Sequence, residues 1–297
     1  MKKIFTGIMP ALITPLNSDG KTVNEKAARD LIKLHLSQGA DGFYILGSTG
    51  EGMILEEKTR MNMTEIVTDE IKGKVPVICH TAAMNFEEAI RLCKHAEKAG
   101  VDALSSIPPI FFKYDENDIF KYYKTLAEST DLPFVMYNHP SANGGLSAEM
   151  VAKMFKEVDN ITGVKWTVNN YYQLMRLKDM TNGEMNIING PDEMLVCGLM
   201  AGADAGIGTT YNVMLPQFVE IYKNFKQGNI DKAREIQYKV NSVIACMIKY
   251  QAVAATKYMC KLMGVDSGEA SLPIRQLAGE EGAALEKELK ALGWPFK

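Results

Sequence analysis

The sequence predicts an α/β fold, a (β/α)8 TIM barrel with a C-terminal helical extension. Three observations predict it. Short apolar, β-branched runs alternate with helical periods eight times within about 225 residues, the span of one closed barrel. The connections are short, so each repeat reads as a unit of a parallel sheet with right-handed crossovers. The runner-up, an open doubly wound sheet, lacks its phosphate fingerprint. Gly206-Ile207-Gly208 has no third glycine and ends a late strand, and the glycine-rich 47–52 has no P-loop lysine.

The elements follow in chain order. Met1-Lys2-Lys3 and the run to Leu16 loosely resemble a secretion signal. Gly7, Pro10 and Pro15 interrupt that run, and Asn17-Ser18-Asp19-Gly20 closes it as a turn, so 5–14 reads as the first strand. A helical period over 24–37 follows. Strands are then predicted over 41–46, 75–80, 102–107, 133–138, 161–166, 185–189 and 204–208, because each is short, apolar and bounded by turn residues. Helices are predicted between them over 55–71, 86–99, 115–129, 147–155, 170–180 and 191–201, and from about residue 213 onward. After 229 the strands stop. Helical patterns over 231–249, 252–263 and 279–292 cannot close a core alone and are expected to pack on the barrel's side. Residues 1–228 are thus the barrel carrying the active site, and 229–297 an extension belonging to the same structural unit.

Composition narrows the function. Of 297 residues, 46% are hydrophobic and 23% charged, as in an ordinary soluble globular chain. Lys and Arg number 33 against 36 Asp and Glu, with no dense basic block, which argues against nucleic acid. Five cysteines (Cys79, Cys93, Cys197, Cys246, Cys260) form no C-x-x-C pair, so neither a disulfide framework nor a zinc knuckle is expected and a reducing cytoplasm fits. No apolar run approaches the roughly 18 residues of a membrane span.

In such barrels reactive groups come from the downstream ends of strands. Strand two delivers Ser48 and Thr49, strand five Tyr137 and Asn138, and strand six Lys165 and Thr167. Strand seven delivers Gly190, Asp192 and Glu193, and strand eight Thr209 and Thr210. Each has a plain structural reading as well. Ser48 and Thr49 suit a tight turn, and Tyr137 a core aromatic. Pro191, Asp192 and Glu193 suit a first helical turn with carboxylates on the positive end of the dipole. Thr209 suits a helix cap, and Lys165 alone could bury its stem while its ammonium reaches water.

Convergence on one face favours chemistry. Strands five and six are neighbours about 4.8 Å apart, so Tyr137 and Lys165 can share a pocket. A desolvated lysine is a nucleophile towards carbonyls, and a phenol can carry the protons. Bringing a lysine from about 10.4 to roughly 7–8 requires about 3–4.5 kcal/mol of destabilisation of its charged form. The Gly-Ser-Thr-Gly turn offers hydroxyls and backbone N–H groups to a substrate carboxylate. The rivals are weaker. His80 and His139 at strand ends could ligate a metal, but no third ligand stands beside them, so no metal site is expected. No Gly-x-Ser-x-Gly elbow supports a serine nucleophile.

At Gly47-Ser48-Thr49-Gly50-Glu51, Tyr137-Asn138-x-Pro140, Gly163-Val164-Lys165 and Gly190-x-Asp192-Glu193 the chain resembles the pyruvate-dependent class I aldolases, the family of N-acetylneuraminate lyase and dihydrodipicolinate synthase. The likeness spans essentially the whole chain. It implies a homotetrameric barrel, a covalent imine between Lys165 and pyruvate with no cofactor, Tyr137 as proton shuttle, and Ser48 with Thr49 as holders of the pyruvate carboxylate. Ser48 matches the lyase form. Ala142 stands where the synthase carries an arginine for its second substrate. Gly190, Asp192, Glu193, Thr167 and Thr209 match contacts to a sugar chain, with threonine replacing the usual serine at 209. Phe111 replaces a tyrosine that joins the proton relay in many members, leaving water, Ser48 or Tyr114 to substitute. His139 and Ala142 replace larger apolar residues, and Pro191 and Trp166 stand where they would reshape the sugar pocket. The expected activity is cleavage of N-acetylneuraminate to pyruvate and N-acetylmannosamine. The alternatives are another pyruvate aldolase of the family, acting on a 2-keto-3-deoxy sugar acid or synthase-like, and a non-catalytic metabolite-binding barrel.

Overall fold

The computed structural model describes residues 5–142 and 144–296; Met1 to Ile4, where the basic N-terminal stretch begins, lie outside the described residues. The strands are β1 Gly7–Pro10, β2 Phe43–Ile45, β3 Val77–His80, β4 Ala103–Ser106, β5 Phe134–Asn138, β6 Ile161–Trp166, β7 Asn186–Asn189 and β8 Ala205–Gly208. The helices between them are α1 Glu25–Ser37, α2 Glu57–Ile71, α3 Phe86–Ala99, α4 Glu116–Ala127, α5 Ala148–Glu157, α6 Tyr171–Met180 and α7 Leu195–Met200, and α8 Tyr211–Lys226 follows β8. Then come α9 Ile230–Lys249, α10 Ala252–Leu262 and α11 Gly279–Ala291.

All eight strands pair in parallel in one sheet, each beside its sequence neighbour, with β1 also pairing β8. A parallel bridge between Ala11 and Tyr44 joins β1 to β2 and closes the ring. Predicted and observed elements agree in number and order, with three local differences. The first strand is shorter than 5–14 because beyond Pro10 it pairs only through single hydrogen bonds and the Ile13 donor leaves the ladder. Leu12 N–H goes to Tyr44 O and Ile13 N–H to the Asn212 side chain. The helix expected at 191–201 begins as a 3-10 turn, Asp192–Met194, before α7. The last barrel helix starts at Tyr211 rather than 213 and carries a kink at Met214, two residues before Pro216.

Local sequence explains the helix starts. Asn24, Asn85, Asp115, Ser147, Asn170 and Gln251 each accept a backbone N–H of the first turn of α1, α3, α4, α5, α6 and α10. Strand alternation divides the core in two. Phe43, Ile45, Leu104, Phe134, Met136, Val164, Trp166 and Ile187 face outward and pack under the helices. Met9, Tyr44, Ile78, Ala103, Val135, Tyr137, Ile188, Ala205 and Ile207 fill the barrel interior. At its floor the Asn186 side chain exchanges two hydrogen bonds of 2.9 Å with the Phe5 backbone.

The C-terminal helices do more than line the side. α9 packs on α8, and Trp294 donates its indole N–H to Val213 O. The segment between α10 and α11 reaches the mouth of the barrel, where Leu16 N–H donates to Ser267 O and Ser271 N–H to the Glu51 side chain.

Candidate active site

β6 is buried along its length, and at its downstream end Lys165 stands in register opposite Tyr137 of β5. Period-two alternation turns Lys165 into the barrel and Trp166 outward. Lys165 is 5% exposed and Tyr137 3%. The Lys165 Nζ lies 3.9 Å from the centre of the Tyr137 ring and 4.9 Å from that of Tyr44. Among the described residues no carboxylate comes within ion-pair distance of this nitrogen. The two aromatic faces hold this side chain by van der Waals contact, and by cation–π attraction whenever it is protonated.

The Tyr137 ring is walled edge-on by Tyr44, His80 and His139, with centroids 5.8, 5.9 and 5.4 Å away. Tyr44 bonds through its hydroxyl to Ser105, 3.1 Å away. Both nitrogens of His80 are committed to backbone. Nδ1 lies 3.1 Å from Leu46 O, and Nε2 accepts from Ile107 N–H at 3.3 Å. Burial, aided by the Arg60 charge, lowers the His80 pKa to about 3, so it stays neutral. His139 is bonded through Nδ1 to Ser141, and burial and the nearby Lys165 lower its pKa. Among the described residues no group of three or more His, Cys, Asp or Glu is disposed to hold a metal.

The turn after β2 carries Ser48, exposed, and Thr49, buried. It is tightened by Glu51 N–H donating to Ser48 O and Gly52 N–H to Gly47 O, and tied to the β1 loop by the Thr14 hydroxyl on Gly50 O at 2.6 Å. Glycine is required at 52, since a Cβ there would stand 1.8 Å from Leu46 O. The Thr49 hydroxyl is 2.7 Å from that of Thr209, so Thr209 spends its side chain across the mouth and does not cap α8.

Beyond β7, Gly190 N–H donates to Trp166 O, extending the β6–β7 ladder past the strands. Gly190 also touches Thr167, whose Oγ1 is buried with no described partner. The Asp192 carboxylate leaves its own helix and accepts from Thr210 N–H and Oγ1–H, both at 2.6 Å. Burial, with Glu193 beside it, raises the Asp192 pKa to about 6, against the two Thr210 bonds and Lys165. Glu193 is half-buried at the rim. Lys165, Tyr137, Ser48, Thr49, Thr167, Gly190, Asp192, Glu193 and Thr209 therefore all lie at the downstream ends of strands, around one mouth.

Three placements differ from the sequence reading. Trp166 is 1% exposed in the outer core, so it does not border the pocket. Phe111 is 84% exposed at φ +81° and stacks edge-on with Phe112, turned to solvent. Tyr44, which went unremarked inside strand two, is the second ring against Lys165. Its alternation with Phe43 and Ile45 was the available signal.

Comparison with known proteins shows the family. The Dihydrodipicolinate synthetase family model matches residues 4–292. The N-acetylneuraminate lyase of Clostridium perfringens is 34% identical over 285 residues, 95% of this chain and 98% of the relative. The 4-hydroxy-tetrahydrodipicolinate synthase of Methanopyrus kandleri is 32% identical over 288 residues, 97% and 96% of the two chains. The solved N-acetylneuraminate lyase of Proteus mirabilis superposes with a TM-score of 0.93 at 29% identity, covering 99% of this chain and 100% of that one. With its lysine–tyrosine pair at the ends of β6 and β5 and a match over nearly its full length, the chain belongs to the dihydrodipicolinate synthetase family of class I aldolases.

Proposed function

We propose that the chain is a Schiff-base aldolase that cleaves N-acetylneuraminate to pyruvate and N-acetylmannosamine. The observation that carries this reading is the buried Lys165 amine at the barrel mouth, 3.9 Å from the Tyr137 ring centre and unpaired with any described carboxylate.

The Lys165 amine adds to the C2 carbonyl of the open-chain keto acid, and the carbinolamine loses water to give an imine. Loss of the C4 hydroxyl proton then breaks the C3–C4 bond. The electron pair passes to the imine nitrogen as an enamine, and the aldehyde leaves. Protonation at C3 and hydrolysis release pyruvate and restore the amine. These steps need no cofactor or metal. Tyr137 is the proton carrier, within reach of the same pocket. Ser48, Thr49 and the backbone N–H groups of their turn hold the carboxylate, and Thr167, Gly190, Asp192, Glu193 and Thr209 meet the sugar chain.

Ala142 supports the lyase over the synthase, because it is fully buried and brings no charge for a second carboxylate. One observation favours a different sugar acid. The Asp192 Oδ2 is already engaged by Thr210, which leaves less of that carboxylate for a long polyol. We infer a homotetramer from exposed apolar side chains on the β4–α4 loop (Phe111, Phe112) and on α6 (Tyr172, Met175). The five free thiols fit a cytoplasmic location.

Borohydride added with pyruvate should trap an adduct at Lys165 by mass spectrometry, and Lys165→Ala should abolish it. Binding of pyruvate without an adduct would instead support a non-catalytic barrel. A panel of sugar acids decides the substrate, and turnover of non-aminated acids alone would refute the N-acetylneuraminate assignment.

A further inference from the structure

The motif Gly47-Ser48-Thr49-Gly50-Glu51 ends in a glutamate to which the reaction above gives no part. Glu51 has a fully buried side chain and sits at φ +59° between two glycines. A non-glycine residue persists in that conformation only where its surroundings over-determine it. Its Oε1 lies 2.6 Å from the Nζ of Lys257 on α10, which is 2% exposed, and its Oε2 accepts Ser271 N–H. Lys257 Nζ also donates to Glu269 O at 2.9 Å. Two chain segments 206 residues apart are therefore joined by charge at the rim of the mouth.

The surroundings show why such a tie is needed. Clefts flank the 268–272 segment on both sides. One of about 210 Å³ is lined by Lys257, Tyr258, Asp266 and Leu277. Another of about 410 Å³ is lined by Ser18, Lys21, Leu55 and Leu272. The clefts leave this segment little packing on either side, so its hydrogen bonds to Glu51 and Lys257, with that of Leu16 N–H to Ser267 O, tie it to the barrel. On the other side, Glu51 N–H bonds Ser48 O, and the N–H groups of Ile54 and Leu55 bond Glu51 O, so a shift of Glu51 is passed directly to Ser48 and Thr49.

We propose that Glu51 and Lys257 are positioning residues, a buried ion pair by which the C-terminal extension holds the Ser48–Thr49 turn in place for the substrate carboxylate. The proposal rests on reading that turn as the carboxylate cradle. It assigns the extension a part in substrate binding although none of its side chains is placed in the catalytic pair.

The test is the double variant Glu51→Gln with Lys257→Met, chosen because it leaves no uncompensated buried charge. Two readouts are taken, the pyruvate concentration that half-saturates borohydride trapping and the hydrogen exchange of amides 48–55. The expected result is a half-saturating concentration raised about tenfold, with trapping at saturation kept within about twofold, and faster exchange across 48–55. A folded double variant with both readouts unchanged overturns the proposal. If the variant does not fold, the unaltered enzyme decides. Reductive trapping of pyruvate on Lys165 should slow exchange of amides 269–272, and unaltered exchange there overturns it too. An unaltered enzyme that traps no pyruvate at all refutes the cradle reading, and the proposal falls with it.

Discussion

Gly190→Ala tests whether the site depends on close backbone approach between β7 and β6. A Cβ at 190 would stand 2.0 Å from Thr167 Oγ1, 2.8 Å from its Cβ and 2.9 Å from its Cα. The hydroxyl could rotate away, but the Cα is backbone. Restoring ordinary contact at 3.4 Å from a starting 2.9 Å requires a movement of about 0.5 Å. Thr167 is two residues beyond Lys165, and its N–H is fastened to Asn138 O of β5 at 2.9 Å, so the strain passes into the end of the strand that carries the amine. Overpacking of this kind costs about 1–3 kcal/mol of stability. Misplacement of a reacting group by about 1 Å can cost about a hundredfold in rate, so half that distance predicts roughly a tenfold loss.

The assay pairs thermal melting with the rate of pyruvate release and with borohydride trapping at saturating pyruvate. The prediction is a lower melting temperature, a pyruvate-release kcat reduced about tenfold and an adduct still confined to Lys165. An alanine variant with wild-type melting and wild-type rate would refute the reasoning, because it would show that the β6–β7 rim gives way without disturbing the amine.

Further outcomes follow from the same geometry. Burial lowers His35 to about 4 and His80 to about 3, so the folded chain refuses protons that both imidazoles take near pH 6.5 when unfolded. Their stabilisation is complete above about pH 6.5 and is lost as the pH falls towards 4 and 3, while Asp192, raised to about 6, opposes them below that value. The three together predict a net loss of about 2 kcal/mol between pH 6.5 and 5, and urea midpoints that stay level over that range would contradict it. Thr49→Val keeps the shape but removes the bond to Thr209. It should cost about 1 kcal/mol and raise the half-saturating pyruvate concentration about fivefold, read from the trapping curve. Ala142→Arg buries an unpaired guanidinium in the barrel interior and should lower stability by several kcal/mol without creating synthase activity. An unchanged melting temperature would show that position 142 is open to solvent.

Most of the barrel was legible because strands and helices differ in period, and because Asn24, Asn85, Asp115, Ser147 and Asn170 announce the helix starts. The reading failed where a side chain pre-empted a backbone partner. Asn212 takes the donor of Ile13 and shortens β1, and Asp192 is drawn to Thr210 while the Asn189 amide takes Pro191 O, so α7 begins as a 3-10 turn. No local pattern announces such bonds, since their partners lie far along the chain. Trp166 was misread for a different reason. It neighbours Lys165 in sequence, and adjacency in a strand means opposite faces.

The site residues divide the same way. Lys165 and Tyr137 could be paired from sequence because ladder register joins adjacent strands, and the same ladder, carried one step further by Thr167 and Gly190, sets out the β5–β6–β7 side of the mouth. On the β8–β2 side the ladder runs through β1 and stops at Ala11 and Leu12, short of the Ser48–Thr49 turn. That side is closed by hydroxyls and charges whose sequence separations, 160 for Thr49 with Thr209 and 220 for Glu51 with Ser271, exceed any repeat of the fold. A barrel of this kind therefore places its nucleophile by strand pairing but places its carboxylate cradle by side-chain bonds. Nucleophile geometry should then survive substitutions that shift keto-acid affinity.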